Sequence, residues 1–266
     1  MSKLLIINAD DFGLDDHAVD GILELAERNY ITSTSILANM VSAGDLNKLK
    51  KMGHISKGLH INLTEGKPLS NKSQVDTMID NEGKFLPINK LLIKFILGRV
   101  NIEQIERELL NQMDLLKNNG LEISHADSHK HIHQFPFIGP VILRYLKKHG
   151  IKKIRNCRVT DISIIKTKAY RMTHQLISKA NKNFITPDTL ITSFLNTSVH
   201  YNKVFQQSVE LAFGNNDTVE LMTHPAIKNN SINYLNREGE YSFWKSGKWT
   251  ELLKNMQIHL IRYDEL

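Results

Sequence analysis

Apolar runs and amphipathic stretches alternate along most of this chain. "KLLIINADD" is apolar until it meets two carboxylates, which predicts a strand buried on both faces whose tip reaches a functional rim. "DDHAVDGILELAERN" then places Val19, Ile22, Leu23 and Ala26 on one helical face behind an acidic start. "STSILANM", "SAGDLNKLKKMG" and "KGLHINL" repeat strand, helix and strand, and "IEQIERELLNQMDLLKNNG" is the clearest amphipathic helix. The rhythm continues with "EISHADSH" as strand, "FIGPVILRYLKKHG" as helix, "IKKIRNCR" as strand and a helix around "KAYRMTHQLISKA". "LITSFLN" follows as strand, "KVFQQSVELAF" as helix, "TVELMTHPA" as strand, then a last helix and the strand-like "IHLIRY".

About seven βα repeats in 266 residues predict an α/β fold. A TIM-like (β/α) barrel, closed or nearly closed, suits that length better than an open doubly wound sheet. One domain over 1–266 is expected, with rim insertions around 64–100 and 228–242, where the connections exceed an ordinary βα loop. The first strand is not followed by G-x-G-x-x-G or a P-loop pattern, so a nucleotide-binding fold has little support.

Composition narrows the class. Hydrophobic residues make up 41%, enough for a large core, yet the most apolar late stretch, "LLIKFILGRV", is broken by Lys94 and Arg99. It falls short of the roughly 20 residues of a membrane span and reads as a packed helix. The N-terminus lacks a signal-peptide apolar region and the single Cys157 can form no intramolecular disulfide, so a cytoplasmic protein is expected. Cys157 itself reads as a small core residue. A net charge of +6 would allow a polyanionic partner, but "LKKMG" and "LKKHG" are helix ends where cations offset the dipole. Neither a nucleic acid nor a membrane is expected as partner.

The candidate chemistry lies at strand tips. "HADSHKHIH", residues 125–133, holds four of the chain's 12 histidines; if extended, it would turn His125, Asp127, His129, His131 and His133 to one side. Asp10 and Asp11, His60 in "GLHINL", this cluster, and His224 in "ELMTHPA" all fall at or near predicted C-terminal strand ends, which converge on one face of a barrel. Adjacent carboxylates can divide two tasks, one ligating and one abstracting a proton. A carboxylate with two imidazoles suits a catalytic divalent ion, and no Cys-based zinc framework is available. Metal-assisted hydrolysis follows from these residues alone. Spacing does not choose which histidines of the cluster serve.

At "NADDFGL", "ITSTSILAN", "GLHINLTEGKPL", "HADSHKHIHQFP" and "ELMTHPA" the sequence resembles the YdjC-like carbohydrate deacetylase family, which includes the chitooligosaccharide deacetylases. The resemblance implies an incomplete TIM-like (β/α) barrel of the glycoside hydrolase/deacetylase type. It also implies removal of the N-acetyl group from N-acetylglucosamine units of small oligosaccharides. Carried onto this chain, it makes Asp11, His60 and His129 ligands of one divalent metal, Mg2+ or Zn2+, with Asp10 as general base and His224 as general acid. Asp127, Arg155 and His133 are assigned to substrate binding; a structural ion pair of Arg155 with Asp10 or Asp127 is the competing reading. Trp244 and Trp249 could stack on sugar, but helix packing or a homodimer contact is the plainer reading.

Overall fold

The computed structural model describes residues 2–159, 181–192, 201–229 and 235–266. Among these, β1 (Lys3–Phe12), α1 (Asp16–Glu27), β2 (Ser33–Ile36), α2 (Ala43–Lys50) and β3 (Ser56–Ile61) alternate as the apolar pattern requires. Then come α3 (Ile88–Ile96), α4 (Ile102–Asn118), β4 (Ala126–Ser128), α5 (Ile138–Lys148) and β5 (Thr189–Ile191). The chain closes with α6 (Tyr201–Phe213), β6 (Thr218–Thr223), α7 (Arg237–Lys245), α8 (Trp249–Asn255) and β7 (Ile258–Leu260).

The strands are parallel in the order β4-β3-β2-β1-β6-β5, and β7 pairs with β1. One edge of β1 carries β6 over Leu4–Ala9; the other is shared by β7 at Lys3–Leu5 and β2 at Asn8–Phe12. No strand joins β4 to β5 among the described residues, so the barrel is incomplete. The predicted strand "IKKIRNCR" and the Val159 after it span that gap, among the described residues, only through single bridges: Ile154 to Ala126, Lys153 to Ile185 and Val159 to Leu190. Asn156 explains the interruption. Its Nδ2 donates to the carbonyls of Pro187 and Asp188 and its Oδ1 accepts from Arg158 N, so a side chain replaces ladder bonds.

The sheet is central, and from Leu5 to Phe12 every residue of β1 is buried, as its unbroken apolar run requires. Helices cover it with amphipathic faces: α1 buries Val19, Ile22 and Leu25 and is capped by Asp15 Oδ1, which accepts from Ala18 N at 2.8 Å. Trp244 and Trp249 lie buried edge to face at 5.1 Å beside Phe205 and Phe243. Helix packing is therefore their role.

Other expectations change. The helix within "LLIKFILGRV" forms as α3, but it is not fully packed: Leu91 is buried, whereas Ile93 and Ile96 are 58% and 63% exposed. No described helix is long and apolar enough to cross a membrane. The helix expected around "KAYRMTHQLISKA" lies outside the described residues. The expected 228–242 insertion is described only up to 229 and from 235, where α7 takes its second half.

Candidate active site

The C-terminal strand ends bring the polar residues together. At the tip of β1, Asp11 adopts a left-handed backbone (φ 67°) and the register with β2 shifts between Ala9 and Phe12. Successive side chains of a regular strand point to opposite faces; this kink lets both Asp10 and Asp11 reach the polar centre, and Asp tolerates the conformation better than most residues. Gly13 follows at φ 99°, where a Cβ would lie 2.6 Å from Val41 Cβ, so the turn that leaves the strand requires glycine.

Asp11 Oδ1 faces two imidazoles, His129 Nδ1 at 3.0 Å and His60 Nε2 at 3.3 Å, while Oδ2 accepts from Arg237 Nη2 at 2.5 Å. Nδ1 of His60 donates to Asp127 Oδ1 at 2.8 Å, and Nε2 of His129 bonds Glu65 Oε2 at 2.9 Å. Ligand atoms of Asp11, His60 and His129 all lie within 4.8 Å of one another. A proton on each nitrogen or one shared divalent cation satisfies the same donor set, and the carboxylates behind both imidazoles fix ring orientation as outer partners of metal ligands do. The residues fit a metal.

Asp10, His60 and Asp127 form a second group whose ligand atoms also lie within 4.8 Å of one another. There the positive charge is already supplied: Arg155 donates to Asp10 Oδ2 and Oδ1 at 2.6 Å each and lies 2.8 Å from Asp127 Oδ2. Arg155 occupies both Asp10 oxygens and Asp127 Oδ2, whereas Arg237 takes only Oδ2 of Asp11 and leaves Oδ1 to the imidazoles, so the first group is the better site.

Electrostatics follow burial and pairing. Burial works against the His60 charge, yet Asp127 and Asp11 outweigh it and raise the imidazole to about 10. Burial likewise opposes ionisation of Asp10, but Arg155 prevails and holds the carboxyl below its usual range. His224 differs. Burial dominates and pushes it down to about 4 despite Asp10, whose Oδ2 lies 3.8 Å from Nε2.

The profile of the YdjC-like protein family matches residues 4–255. The chain belongs to that family. Carbohydrate deacetylase 1 of Listeria innocua serovar 6a is 32% identical over 269 residues, covering 98% of this chain and 99% of its own length. A carbohydrate deacetylase of Clostridium beijerinckii is 30% identical over 229 residues, covering 86% and 83%. Among solved structures, a candidate cellobiose-phosphate cleavage protein of Enterococcus faecalis V583 matches with a TM-score of 0.81 at 23% identity, covering 100% of this chain and 99% of that one. A Streptococcus mutans CE4 esterase matches at 0.53 and 12%, covering 98% and 86%. These structures share the fold, an open (β/α) barrel.

Within this YdjC-like chain the predicted residues separate into two levels. Asp10, Asp11, His60, His129 and His224 meet at the centre. The three residues assigned to substrate binding are buried against protein partners. Asp127 and Arg155 are 1% and 0% exposed, and the guanidinium is consumed by Asp10, Asp127 and Glu220, so the ion-pair reading is the one realised. His133 is also buried, with Nδ1 against Ser128 Oγ and Nε2 3.3 Å from the Arg155 carbonyl.

The histidine cluster is not one extended face. Only Ala126–Ser128 is strand; a 3-10 turn follows at His129–Gln134, with Lys130 and His131 left-handed. Ser128 Oγ accepts from His133 N at 3.0 Å and so draws the chain into that turn. His125 instead stacks on Tyr263 at 3.7 Å, away from the Asp11 group. Sequence reasoning missed Glu65, Glu220, Arg237, Glu240 and Ser35, whose Oγ donates to Asp127 Oδ2 at 3.0 Å and lies 3.2 Å from His60 Nδ1. Ser35 and Glu65 stand inside quoted motifs and could have been found there. Arg237 and Glu240 carry no spacing signal, because "NREGEY" reads as a polar loop.

Proposed function

We propose that this chain is a metal-dependent carbohydrate deacetylase that hydrolyses the N-acetyl group of N-acetylglucosamine units in small oligosaccharides, built as one domain over 1–266. The observation that carries the reading is the meeting of Asp11, His60 and His129 donor atoms within 4.8 Å, with Asp10 and His224 alongside. The carbohydrate deacetylases among its relatives supply the substrate class. Asp11, His60 and His129 would hold the cation, which when bound acidifies water and polarises a carbonyl.

The chain's own groups then move the protons. Arg155 keeps Asp10 ionised and fixed in place by a bidentate pair, so this carboxylate can take a proton from an attacking water. His224 is the acid for the departing sugar amine, but burial leaves it neutral at pH 7. It must therefore first collect a proton, and Asp10, 3.8 Å from Nε2, is the nearest carboxylate to supply it. Acetate and a free glucosamine unit are the products.

Acetate release from chitobiose, chitotriose and a phosphodiester panel, with and without chelator, tests the proposal. Release that stops on chelation and returns with Zn2+ or Mg2+ is expected. Phosphodiester cleavage without acetate release would replace the substrate class.

A further inference from the structure

Arg237 and Glu240, a base and an acid, stand one turn apart at the start of α7 and are 2% and 0% exposed. Such a pair on a helix would ordinarily close on itself. Here no ion pair joins them among the described residues; each bonds a different part of the candidate centre. Arg237 Nη2 donates to Asp11 Oδ2 at 2.5 Å. Glu240 Oε2 accepts the backbone N–H of His224 at 2.6 Å and the hydroxyl of Thr223 at 2.5 Å, and Trp244 Nε1 secures that hydroxyl at 2.8 Å. The helix start is tied to the same loop, since Ala226 N donates to the Arg237 carbonyl at 3.2 Å.

Holding the pair apart has a cost. Among the described residues, Arg237 Nε and Nη1, Glu240 Oε1 and His224 Nδ1 are buried with no hydrogen-bond partner from the protein. Buried polar atoms without protein partners are costly, so packing of the helix alone does not account for this arrangement. Arg237 and Glu240 also act on each other, and Arg237 acts on His224 electrostatically, which places all three in one neighbourhood.

We propose that Arg237 and Glu240 are positioning residues that make the first turn of α7 a two-sided clamp: Arg237 sets the Asp11 carboxylate with Oδ1 toward His60 and His129, and Glu240 sets the His224 backbone. The inference rests on the metal-dependent reading above and assigns the two halves of that centre to one helix. Arg237 is planar and donates from a fixed fork, so it can hold one carboxylate oxygen while the other stays free to ligate. Its positive charge by itself would repel a cation, so orientation and charge act on metal affinity with opposite signs. Substitution separates the two effects.

The experiment measures binding of Zn2+ alone by calorimetry, and kcat and KM for acetate release, in the full chain and in Arg237→Met, Arg237→Lys and Glu240→Gln. Arg237→Met is expected to weaken Zn2+ binding roughly 10- to 100-fold, the usual loss when an outer partner of a metal ligand is removed. Arg237→Lys keeps the charge, should recover part of the affinity, and carries the test if the methionine variant does not fold. Glu240→Gln should leave Zn2+ affinity within about twofold and lower kcat about tenfold with KM unchanged, since Glu240 bonds the His224 segment and none of the three ligands. Unchanged or tighter Zn2+ binding in both Arg237 variants would overturn the clamp, as would equal loss of metal affinity in Glu240→Gln. If the unaltered chain binds no divalent cation, the metal-dependent reading itself fails, and the clamp with it.

Discussion

Two buried arginines stand behind two consecutive aspartates, and they are treated in opposite ways. Arg155, behind Asp10, is saturated: Asp10, Asp127 and Glu220 surround it, Glu220 is held in turn by Tyr263, and none of its donors is left over. Arg237, behind Asp11, makes one side-chain bond among the described residues, where its Nε and Nη1 meet no protein partner. A buried charge with every bond filled is a fixed part of the framework, whereas one left partly unfilled marks where groups must rearrange or bind. The difference separates a floor that holds its shape from a wall that works.

Breaking the working side should cost function without the fold. His129→Ala removes a candidate ligand that is partly exposed, and acetate release should fall roughly 1,000-fold or more, the equivalent of several kcal/mol, with the unfolding midpoint little changed. Breaking the floor should do the reverse. Arg155→Met strands three carboxylates in the interior and should lower stability by about 3–5 kcal/mol in urea unfolding. A variant that unfolds like the original chain would remove the floor from the comparison.

Acid should sharpen the contrast further. Burial holds His125 and His133 down to about 4 and His131 to about 3, from an ordinary value of 6.5. The unfolded chain takes up these protons first, so the stability is present above pH 6.5 and is lost as pH falls toward 4. Each histidine adds on the order of 1.4 kcal/mol per pH unit inside that window, and urea midpoints across pH 4 to 7 should steepen accordingly. The smallest effect is expected at the rim. Glu65 bonds His129 and Lys130 but its side chain is 43% exposed, so Glu65→Gln should change stability by about 1 kcal/mol or less. A larger thermal shift would make Glu65 part of the framework.

The repeat of strand and helix was legible because parallel strands buried on both faces must be apolar throughout, and "KLLIINADD" announces β1 and its rim together. Asp10, Asp11, His60 and His224 were legible for a related reason: polar side chains that end an apolar run add nothing to a core, so their presence at strand tips points to chemistry, whereas His129 was singled out within its cluster only by the family resemblance. "IKKIRNCR" misled because Asn156 diverts the ladder through its own side chain, which an apolar count does not register. The histidine cluster misled because a period of two holds only while the backbone stays extended, and Ser128 ends that at His129.

Sequence alone determined the class of fold, the family and the residue types able to hold a cation, since these depend on local pattern and on chemistry carried by each side chain. Tertiary structure alone decided that Asp127 and Glu65 stand behind the His60 and His129 imidazoles, that Arg155 is sealed among Asp10, Asp127 and Glu220 at once, and that a residue 226 positions away reaches Asp11. Those outcomes depend on distances between segments remote along the chain, and on which buried charges find partners when the sheet brings them together.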